Sequence, residues 1–238
     1  MSVLMRAADL LGRTGFAVQR HPAARRQHLL RHFGIDLVVD VGAAGGGYGE
    51  QLRSFGYRGE ICSFEPMAAP FAQLQERAVR DGHWQARNLA LGARPGRAPI
   101  HRASNGDSSS LLSPLPAHRA AAPEVEFTGS EEVTLAVLDD EVDAAMLADR
   151  RVFLKLDTQG YEGQVLAGGE RVVAAAVGLQ LELSFVPLYD GGMVADEAIG
   201  WAYRHGFHLT GFEQGFSSPS GAFLQADGIF FRAGGEAR

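Results

Sequence analysis

Three carboxylates follow or end apolar runs, where side chains of an α/β protein can meet a ligand. Asp40 precedes a glycine cluster near the end of the run 35–41, Glu65 closes a second run and Asp157 closes a third. Open α/β sheets bind their ligands beyond the carboxyl ends of the strands. These carboxylates are therefore the first candidates for binding or catalysis.

The segment 40–48, DVGAAGGGY, has the pattern of a strand, a glycine turn and a helix start. Such a turn lets the backbone approach a ligand in front of a helix N-terminus. A dinucleotide site needs G-x-G-x-x-G, and here Ala44 replaces the middle glycine. Asp40 would repel a pyrophosphate but attract an ammonium group. This favours S-adenosylmethionine over NAD, with a plain tight turn as the alternative.

Glu65 stands where a carboxylate can accept both hydrogen bonds of a ribose diol. This role fits either nucleotide, so the residue does not discriminate between S-adenosylmethionine and NAD. The alternative is a solvated side chain in front of Pro66.

Lys155 lies inside the run 152–156, which we expect at the centre of a parallel sheet. Such strands are covered on both faces, so a charged side chain there needs a partner. Asp40, Asp157 and Glu182 are the candidate partners. A structural ion pair explains Lys155 as well as a functional role does. Asp157 differs because it ends its strand, and we expect it to be functional.

Apolar runs that alternate with helical patterns predict the elements that carry these residues. A β-α-β-α-β start indicates a parallel sheet with right-handed crossovers. The last two strands are joined by a short turn, so they must be antiparallel. Strands are predicted at 35–41, 60–65, 84–91, 98–103, 132–137, 152–156, 178–184, 207–212 and 223–231, and helices around Leu4, Ala8 and Leu11 and at 22–33, 48–55, 70–80, 161–175 and 194–205.

The stretch 92–134 interrupts this alternation of strands and helices. It contains five prolines and the run SSS at 108–110. A long loop in a compact domain is more often functional than idle, so we expect a lid. The resulting domain organisation is an N-terminal helical cap at 1–34, an α/β domain at 35–232 and a tail at 233–238.

Composition excludes several classes of function. The 238 residues carry a formal net charge of −6, which disfavours nucleic-acid binding. The single cysteine, Cys62, can form neither an internal disulfide nor a cysteine-based metal cluster. No apolar run approaches the roughly 20 residues of a membrane span, and the first residues do not resemble a secretion signal. We expect a cytoplasmic protein without a membrane partner.

The eight histidines give no metal motif. Only His28 and His32 have ligand spacing, and they lie on a polar helix face that is better explained as solvated surface. No G-x-S-x-G nucleophile motif occurs. His101 and His118 are second-choice general bases.

The chain resembles the FkbM-type S-adenosylmethionine-dependent methyltransferases from about residue 29 to 232. The order and spacing of the motifs carry the resemblance, and Ala44 departs from it because such proteins usually have Asn there. The motifs are DVGA at 40–43 with Gly46 and Tyr48, SFEP at 63–66, NLALG at 88–92, SSSL at 108–111, LDD at 138–140, LKLDTQGYE at 154–162, VL at 165–166 with Gly168, ELS at 182–184, VPLY at 186–189 and QADGIF at 225–230.

The resemblance implies an α/β fold with a seven-stranded Rossmann-like methyltransferase sheet, mostly parallel with an antiparallel last strand. An N-terminal helical extension and an insertion between the third and fourth strands accompany it. It also implies S-adenosylmethionine as cofactor and methyl transfer to a hydroxyl of a small-molecule acceptor, often a sugar or a secondary metabolite. The implied cofactor-binding residues are Asp40, Gly42, Ala43 and Gly46 at the methionyl part, Glu65 at the ribose, Asn88 and Ala90 near the adenine, Ser109 and Ser110 closing the site, Asp157 facing the methyl group, and Tyr48 and Pro66 beside them.

A hydroxyl is a poor nucleophile at neutral pH, so its methylation needs a base or a metal. Asp157 is the first candidate for base or metal ligand, and Lys155 and Gln159 complete the catalytic set. Related O-methyltransferases hold a divalent metal with Asp residues at the ends of strands four and five. Here the fifth strand offers only Glu182, inside the strand, so no metal is assigned.

Two other functions stay open, an NAD-type oxidoreductase and a non-catalytic binding module on the same fold. The sequence does not name the acceptor. The apolar N-terminal helix could pair across a homodimer or cover the sheet.

Overall fold

A computed structural model describes residue 14 and residues 21–106, 108–218 and 220–235. The helix expected around Leu4, Ala8 and Leu11 lies outside the described residues. The helix expected at 22–33 is confirmed as α1, which begins with proline at its first turn.

The elements follow the predicted alternation of strands and helices. In chain order they are α1 (Pro22–His32), β1 (Leu37–Val41), α2 (Gly47–Ser54), β2 (Glu60–Phe64), α3 (Ala68–Asp81), β3 (Trp84–Arg87), β4 (Ala90–Gly92), β5 (Gly96–Ala103), α4 (Pro116–Ala121), β6 (Phe127–Val137), α5 (Leu138–Glu141), α6 (Ala144–Leu147), β7 (Val152–Leu156), α7 (Glu162–Ala167), α8 (Glu170–Ala175), β8 (Ala176–Ser184), α9 (Ala195–Arg204), β9 (Phe207–Gln214) and β10 (Gln225–Arg232).

The large sheet has seven strands in the order β3-β2-β1-β7-β8-β10-β9. β1 pairs in parallel with β2 and β7, and β7 pairs in parallel with β8. β10 inserts between β8 and β9 and is antiparallel to both. This confirms the predicted fold class, a mostly parallel seven-stranded sheet whose last strand is antiparallel.

Helices cover the sheet on both faces because its central strands are apolar on both sides. In β1, Leu37, Val39 and Val41 pack with α5 and α7–α9, whereas Val38 packs with α1–α3. α1 is followed by Phe33, whose ring stacks on that of Phe231 in β10 at 3.9 Å between centroids. Among the described residues, none of the helices is both long and apolar enough to cross a membrane.

The stretch 92–134 is more ordered than the expected long loop. β5 pairs antiparallel with β6, and β6 pairs in parallel with β4, which gives a second sheet of three strands. The strand expected over 84–91 is therefore divided, because β3 belongs to the large sheet and β4 to the small one.

The helix expected over 161–175 is divided into α7 and α8 at two glycines. A Cβ at Gly168 would lie 2.2 Å from the carbonyl oxygen of Gly92. The chain can approach β4 this closely only without a side chain, so the break fixes α7 against the small sheet.

Candidate active site

A row of polar side chains crosses the middle of the large sheet. Asp40 in β1 is in register with Ser63 in β2 and with Lys155 in β7, and Lys155 is in register with Gln180 in β8. Side chains alternate along a strand, so Asp40 shares the face of Val38, which packs with α1–α3. Polar groups buried at this depth must be paired.

Lys155 and Asp40 form the centre of this row. Lys155 Nζ lies 3.0 Å from Asp40 Oδ1, and Ser63 Oγ donates a hydrogen bond to Asp40 Oδ2 at 3.0 Å. Trp84 Nε1 donates in turn to Ser63 Oγ at 2.9 Å. Burial alone would lower the pKa of Lys155, but the carboxylates of Asp40 and Asp157 outweigh it and raise that pKa. Lys155 is therefore charged.

Tyr48, at the start of α2, covers the row from the helix side. Lys155 Nζ lies 4.9 Å from the centre of the Tyr48 ring, a cation–π contact. The Tyr48 hydroxyl donates to Gln180 Oε1 at 3.0 Å. Burial raises the pKa of Tyr48, so the hydroxyl is protonated and remains a donor.

The glycine turn is pressed against the end of β7. Gly42 has φ +77°, and a Cβ there would lie 1.9 Å from the carbonyl oxygen of Asp157. Lys155 Nζ donates to the Gly42 carbonyl oxygen at 3.3 Å. Ala44 also has a left-handed backbone, with φ +45°, and its N–H donates to Glu65 Oε2 at 2.9 Å. The turn is thereby linked to the ends of both neighbouring strands.

A cavity of about 470 Å³ opens at the carboxyl ends of these strands. Its wall combines the glycine turn, the end of β2, the segment around β4, the segment after β5 and the loop after β7. The lining residues are Val41, Gly42, Ala44, Phe64, Glu65, Pro66, Met67, Leu89, Ala90, Leu91, Ile100, Gly106, Ser109, Ser110, Leu111, Asp157, Thr158, Gln159, Tyr161, Glu182, Gly215 and Phe216.

The structure brings eight of the fourteen predicted site residues to this wall and places six elsewhere. Those at the wall are Gly42, Glu65, Pro66, Ala90, Ser109, Ser110, Asp157 and Gln159, and those elsewhere are Asp40, Ala43, Gly46, Tyr48, Asn88 and Lys155.

Asp40 differs most from the expectation. Its carboxylate is fully buried and is neutralised by Lys155, so it faces the interior of the sheet and not the cavity. Direct attraction of a cationic ligand to Asp40, and direct repulsion of a pyrophosphate, do not agree with this placement. Asp40 is connected to the cavity wall through Lys155, which contacts the Gly42 carbonyl oxygen and Asp157 Oδ2.

The other residues outside the wall hold the turn and the strands in place. The Asn88 side-chain amide donates to the carbonyl oxygens of Glu65 and Pro66, each at 2.9 Å. The Ala43 N–H donates to the Phe64 carbonyl oxygen at 3.0 Å. Gly46 is left-handed, with φ +90°, and precedes α2. A cofactor contact from these residues stays a prediction.

Glu65 is held rigidly at the wall. Its Oε2 accepts the Ala44 N–H at 2.9 Å and its Oε1 accepts the Met67 N–H at 2.8 Å. Burial raises the pKa of Glu65 to about 7, against the opposing effect of the two backbone hydrogen bonds. Each oxygen keeps a lone pair, so the carboxylate can still accept two hydroxyl hydrogen bonds.

Gln159 bridges two carboxyl groups at another part of the cavity wall. Its Nε2 donates to Asp157 Oδ1 and to Glu182 Oε1, each at 3.0 Å. Its Oε1 accepts the Tyr189 hydroxyl at 2.8 Å, which fixes the direction of the amide. Lys155 Nζ lies 3.4 Å from Asp157 Oδ2. Asp157 thus connects the buried polar row to the cavity.

The loop after β7 is held in an uncommon conformation. Gln159 has φ +55°, a left-handed backbone that costs a non-glycine residue about 1 kcal/mol or more. Glu162 Oε1 accepts the N–H groups of Thr158 at 2.8 Å and Gly160 at 3.3 Å. Ser110 Oγ donates to the Gln159 carbonyl oxygen at 2.8 Å. This hydrogen bond therefore connects the segment 92–134 to the loop after β7.

The sequence suggests Glu182 only as a partner of Lys155 or as a metal ligand. Lys155 instead pairs with Asp40 and Asp157, and Glu182 bonds to Gln159. Burial is the largest cause that raises the pKa of Glu182 well above its usual value, and the neighbouring carboxyl of Asp157 adds to it, whereas the hydrogen bond from Gln159 acts in the opposite direction. Alternation in β8 places Glu182 on the same face as Gln180, a signal that was available in the sequence.

The two histidines considered as bases lie outside the cavity wall. His101 in β5 has Nε2 3.4 Å from Ser113 Oγ. His118 is buried in α4 against the rings of Phe127 and Tyr189, and burial lowers its pKa. Within the described residues, no group of three or more His, Cys, Asp or Glu side chains could hold a metal ion.

The model of the methyltransferase FkbM domain matches residues 40–209. The match begins at Asp40 in β1 and ends in β9, so it includes the strands that frame the cavity. The chain belongs to the FkbM methyltransferase family.

A curated relative of this FkbM chain is the 2-O-methyltransferase NoeI of Sinorhizobium fredii. The two are 26% identical over 163 residues, which span 65% of this chain and 66% of NoeI. The matched region is therefore just under two thirds of that relative.

Solved structures with a similar outline share little sequence with this FkbM chain. Magnesium protoporphyrin IX methyltransferase of Synechocystis PCC 6803, with bound SAM, has a TM-score of 0.49 at 10% identity. The match covers 98% of each of the two chains. A protein of the NADB-Rossmann superfamily from Streptococcus agalactiae has a TM-score of 0.49 at 10% identity. That match covers 91% of this chain and 70% of the other protein's chain.

Proposed function

We propose that this protein transfers a methyl group from S-adenosylmethionine to a hydroxyl oxygen of a small molecule. The observation that carries the proposal is the arrangement of Gly42, Glu65 and Asp157 around one cavity at the carboxyl ends of three adjacent strands. Membership of the FkbM family supports the reaction class.

The residues present fit the cofactor. At Gly42 the backbone leaves no room for a side chain, and the wall there is bare main chain that a ligand can approach. Glu65 offers two lone pairs on a fixed carboxylate, which suits a ribose diol. Leu89, Ala90 and Ile100 give an apolar surface for a base. When bound, S-adenosylmethionine supplies an activated methyl group.

Asp157 is the residue we assign to the acceptor hydroxyl. Its side chain remains 36% exposed towards the cavity, although Lys155 and Gln159 contact its oxygens. A carboxylate here accepts a hydrogen bond from the hydroxyl, orients its oxygen and takes its proton as the new O–C bond forms. Lys155 Nζ, 3.4 Å from Asp157 Oδ2, holds the carboxylate in place for this role.

The acceptor we propose is a sugar or a secondary metabolite. The name of NoeI, a 2-O-methyltransferase, supports transfer to oxygen. Ser109 and Ser110, in the segment 92–134, form one side of the cavity. This segment would act as the lid that keeps water out. We propose residues 35–232 as the methyltransferase domain and residues 1–34, most of which lie outside the described residues, as its helical cap.

Two measurements test the proposal. Calorimetry with S-adenosylhomocysteine and with NADH is expected to show binding of the first alone. Incubation of a metabolite pool with methyl-labelled S-adenosylmethionine, followed by mass spectrometry, is expected to yield a labelled methyl ether. Binding of NADH alone would indicate an oxidoreductase, and cofactor binding without any transfer would indicate a binding module.

A further inference from the structure

We infer that, of the two carboxyl groups bridged by Gln159 at the acceptor site, Glu182 keeps a proton while Asp157, beside Lys155, carries the charge. The inference rests on the proposed function and assigns a positioning role to Gln159 and Glu182, which do not themselves take the acceptor's proton. Both residues would keep the acceptor-facing carboxylate of Asp157 available.

The geometry brings the two carboxyl groups to a single amide nitrogen. Gln159 Nε2 donates to Asp157 Oδ1 and to Glu182 Oε1, each at 3.0 Å. Two carboxyl groups this close do not both ionise readily, so one of them is more stable with a proton. The surroundings of each group decide which of them holds it.

The surroundings are unequal. Asp157 Oδ2 has the Lys155 ammonium group at 3.4 Å, and the Asp157 side chain is 36% exposed. Among the described residues, Glu182 has no ion-pair partner, and its buried Oε2 has no hydrogen-bond partner. A buried charge without a partner costs several kcal/mol, so the charge is more stable on Asp157.

Further acidic groups face Glu182 from every side. Asp227 in β10 is its cross-strand neighbour, Glu162 begins α7, and Asp157 follows β7. Burial raises the pKa of Asp227 to about 6, and burial also raises that of Glu162. In the described part of the chain no ion pair joins Glu182 to a positive group, which favours its neutral form.

Tyr189 fixes the orientation of the Gln159 side-chain amide. Its hydroxyl donates to Gln159 Oε1 at 2.8 Å, and burial raises the pKa of Tyr189, so that it stays a donor. The amide nitrogen must then point to the two carboxyls. The left-handed backbone of Gln159 is held by Ser110, which shows that this side chain is placed at some energetic cost.

Substitutions at Glu182 test the inference through a conservative rescue. Glu182→Gln is neutral and still offers an oxygen to Gln159 Nε2, so kcat/KM at pH 7 is expected within about threefold of the wild type. Glu182→Leu leaves the amide without its second acceptor, so kcat is expected to fall at least tenfold with S-adenosylhomocysteine affinity unchanged. Glu124→Gln, on the exposed surface, is the matched control.

The pH profile separates this role from mere support of the fold. In the wild type, ionisation of Glu182 places a second negative charge beside Asp157, so activity is expected to decline on the alkaline side. Glu182→Gln is expected to lose that decline. If Glu182→Gln is as inactive as Glu182→Leu while both bind S-adenosylhomocysteine, a charged Glu182 is required and the inference is overturned.

Infrared spectroscopy tests the protonation without any acceptor. The difference spectrum between the wild type and Glu182→Gln at pH 7 is expected to contain the C=O stretch of a protonated carboxyl. Its absence overturns the inference even if methyl transfer is observed. Its presence supports the inference even if the labelled-methyl experiment fails, so the two failures are distinguishable.

Discussion

Lys155 places its ammonium nitrogen 3.0 Å from the carboxylate of Asp40, on the neighbouring strand of the sheet. The same nitrogen lies 3.4 Å from Asp157 Oδ2, at the cavity wall. The buried carboxylate of Asp40 and the half-buried carboxylate of Asp157 therefore share one cation. This relationship explains how an acidic residue next to the glycine turn can affect the site without contacting a ligand.

The first prediction concerns the stability of the buried pair. Lys155→Met is expected to lower the free energy of unfolding by about 3–5 kcal/mol, because it leaves Asp40 charged and buried without a partner. The double variant Asp40→Asn/Lys155→Met retains an acceptor for Ser63 and is expected to be more stable than Lys155→Met alone. Urea denaturation measures both, and a double variant less stable than the single one would contradict the pairing.

The second prediction concerns the glycine turn. Gly42→Ala is expected to cost about 3 kcal/mol or more in stability, because the residue has φ +77° and its Cβ would meet the Asp157 carbonyl oxygen. Cofactor affinity should fall with it. Gly47→Ala, where no atom lies within 4 Å of the new Cβ, is the control and is expected to be neutral or stabilising. Equal melting temperatures for the two variants would exclude the close contact.

The third prediction is a pH dependence of cofactor binding. Burial raises the pKa of Glu65 to about 7, and the ionised form is the one that accepts a diol with both oxygens. Binding therefore releases a proton, and affinity should rise with pH, by up to about tenfold per unit, until it levels off above pH 7.

Calorimetry of S-adenosylhomocysteine binding from pH 5.5 to 8.5, in buffers with different ionisation enthalpies, measures this release. Glu65→Gln is expected to bind more weakly at every pH and without the slope, whereas Glu124→Gln should keep the wild-type profile. An affinity of the wild type that does not change with pH would remove Glu65 from the ribose site.

The fourth prediction assigns the chemistry to Asp157. Asp157→Ala and Asp157→Asn are expected to lower kcat by about 10²–10⁴-fold, because the acceptor hydroxyl loses its proton acceptor. Cofactor affinity should be largely retained. Asp190→Asn, an exposed change of the same charge, is the control. Full activity in both Asp157 variants would exclude the residue from the reaction.

Sequence patterns were sufficient for the elements and their order. Apolar runs bounded by glycine or proline are local signals, so strands β1, β2, β7 and β8 and the antiparallel β10 were predicted close to their observed bounds. The positions of Glu65 and Asp157 at strand ends were also predictable, because the end of an apolar run can be read from the sequence. Where a local signal was ambiguous, as over 84–91 and 161–175, the structure divided the element.

The direction and the partners of side chains needed the tertiary structure. Asp40 turns inwards because the register of β1 with β7 sets Lys155 beside it, and register is a relation between distant segments. Gln159 reaches Glu182 because of a left-handed backbone that Ser110 and Tyr189 help to hold, each from another part of the chain. The sequence alone determined which chemical groups stand at the strand ends, and only packing between remote segments decided which of them meet.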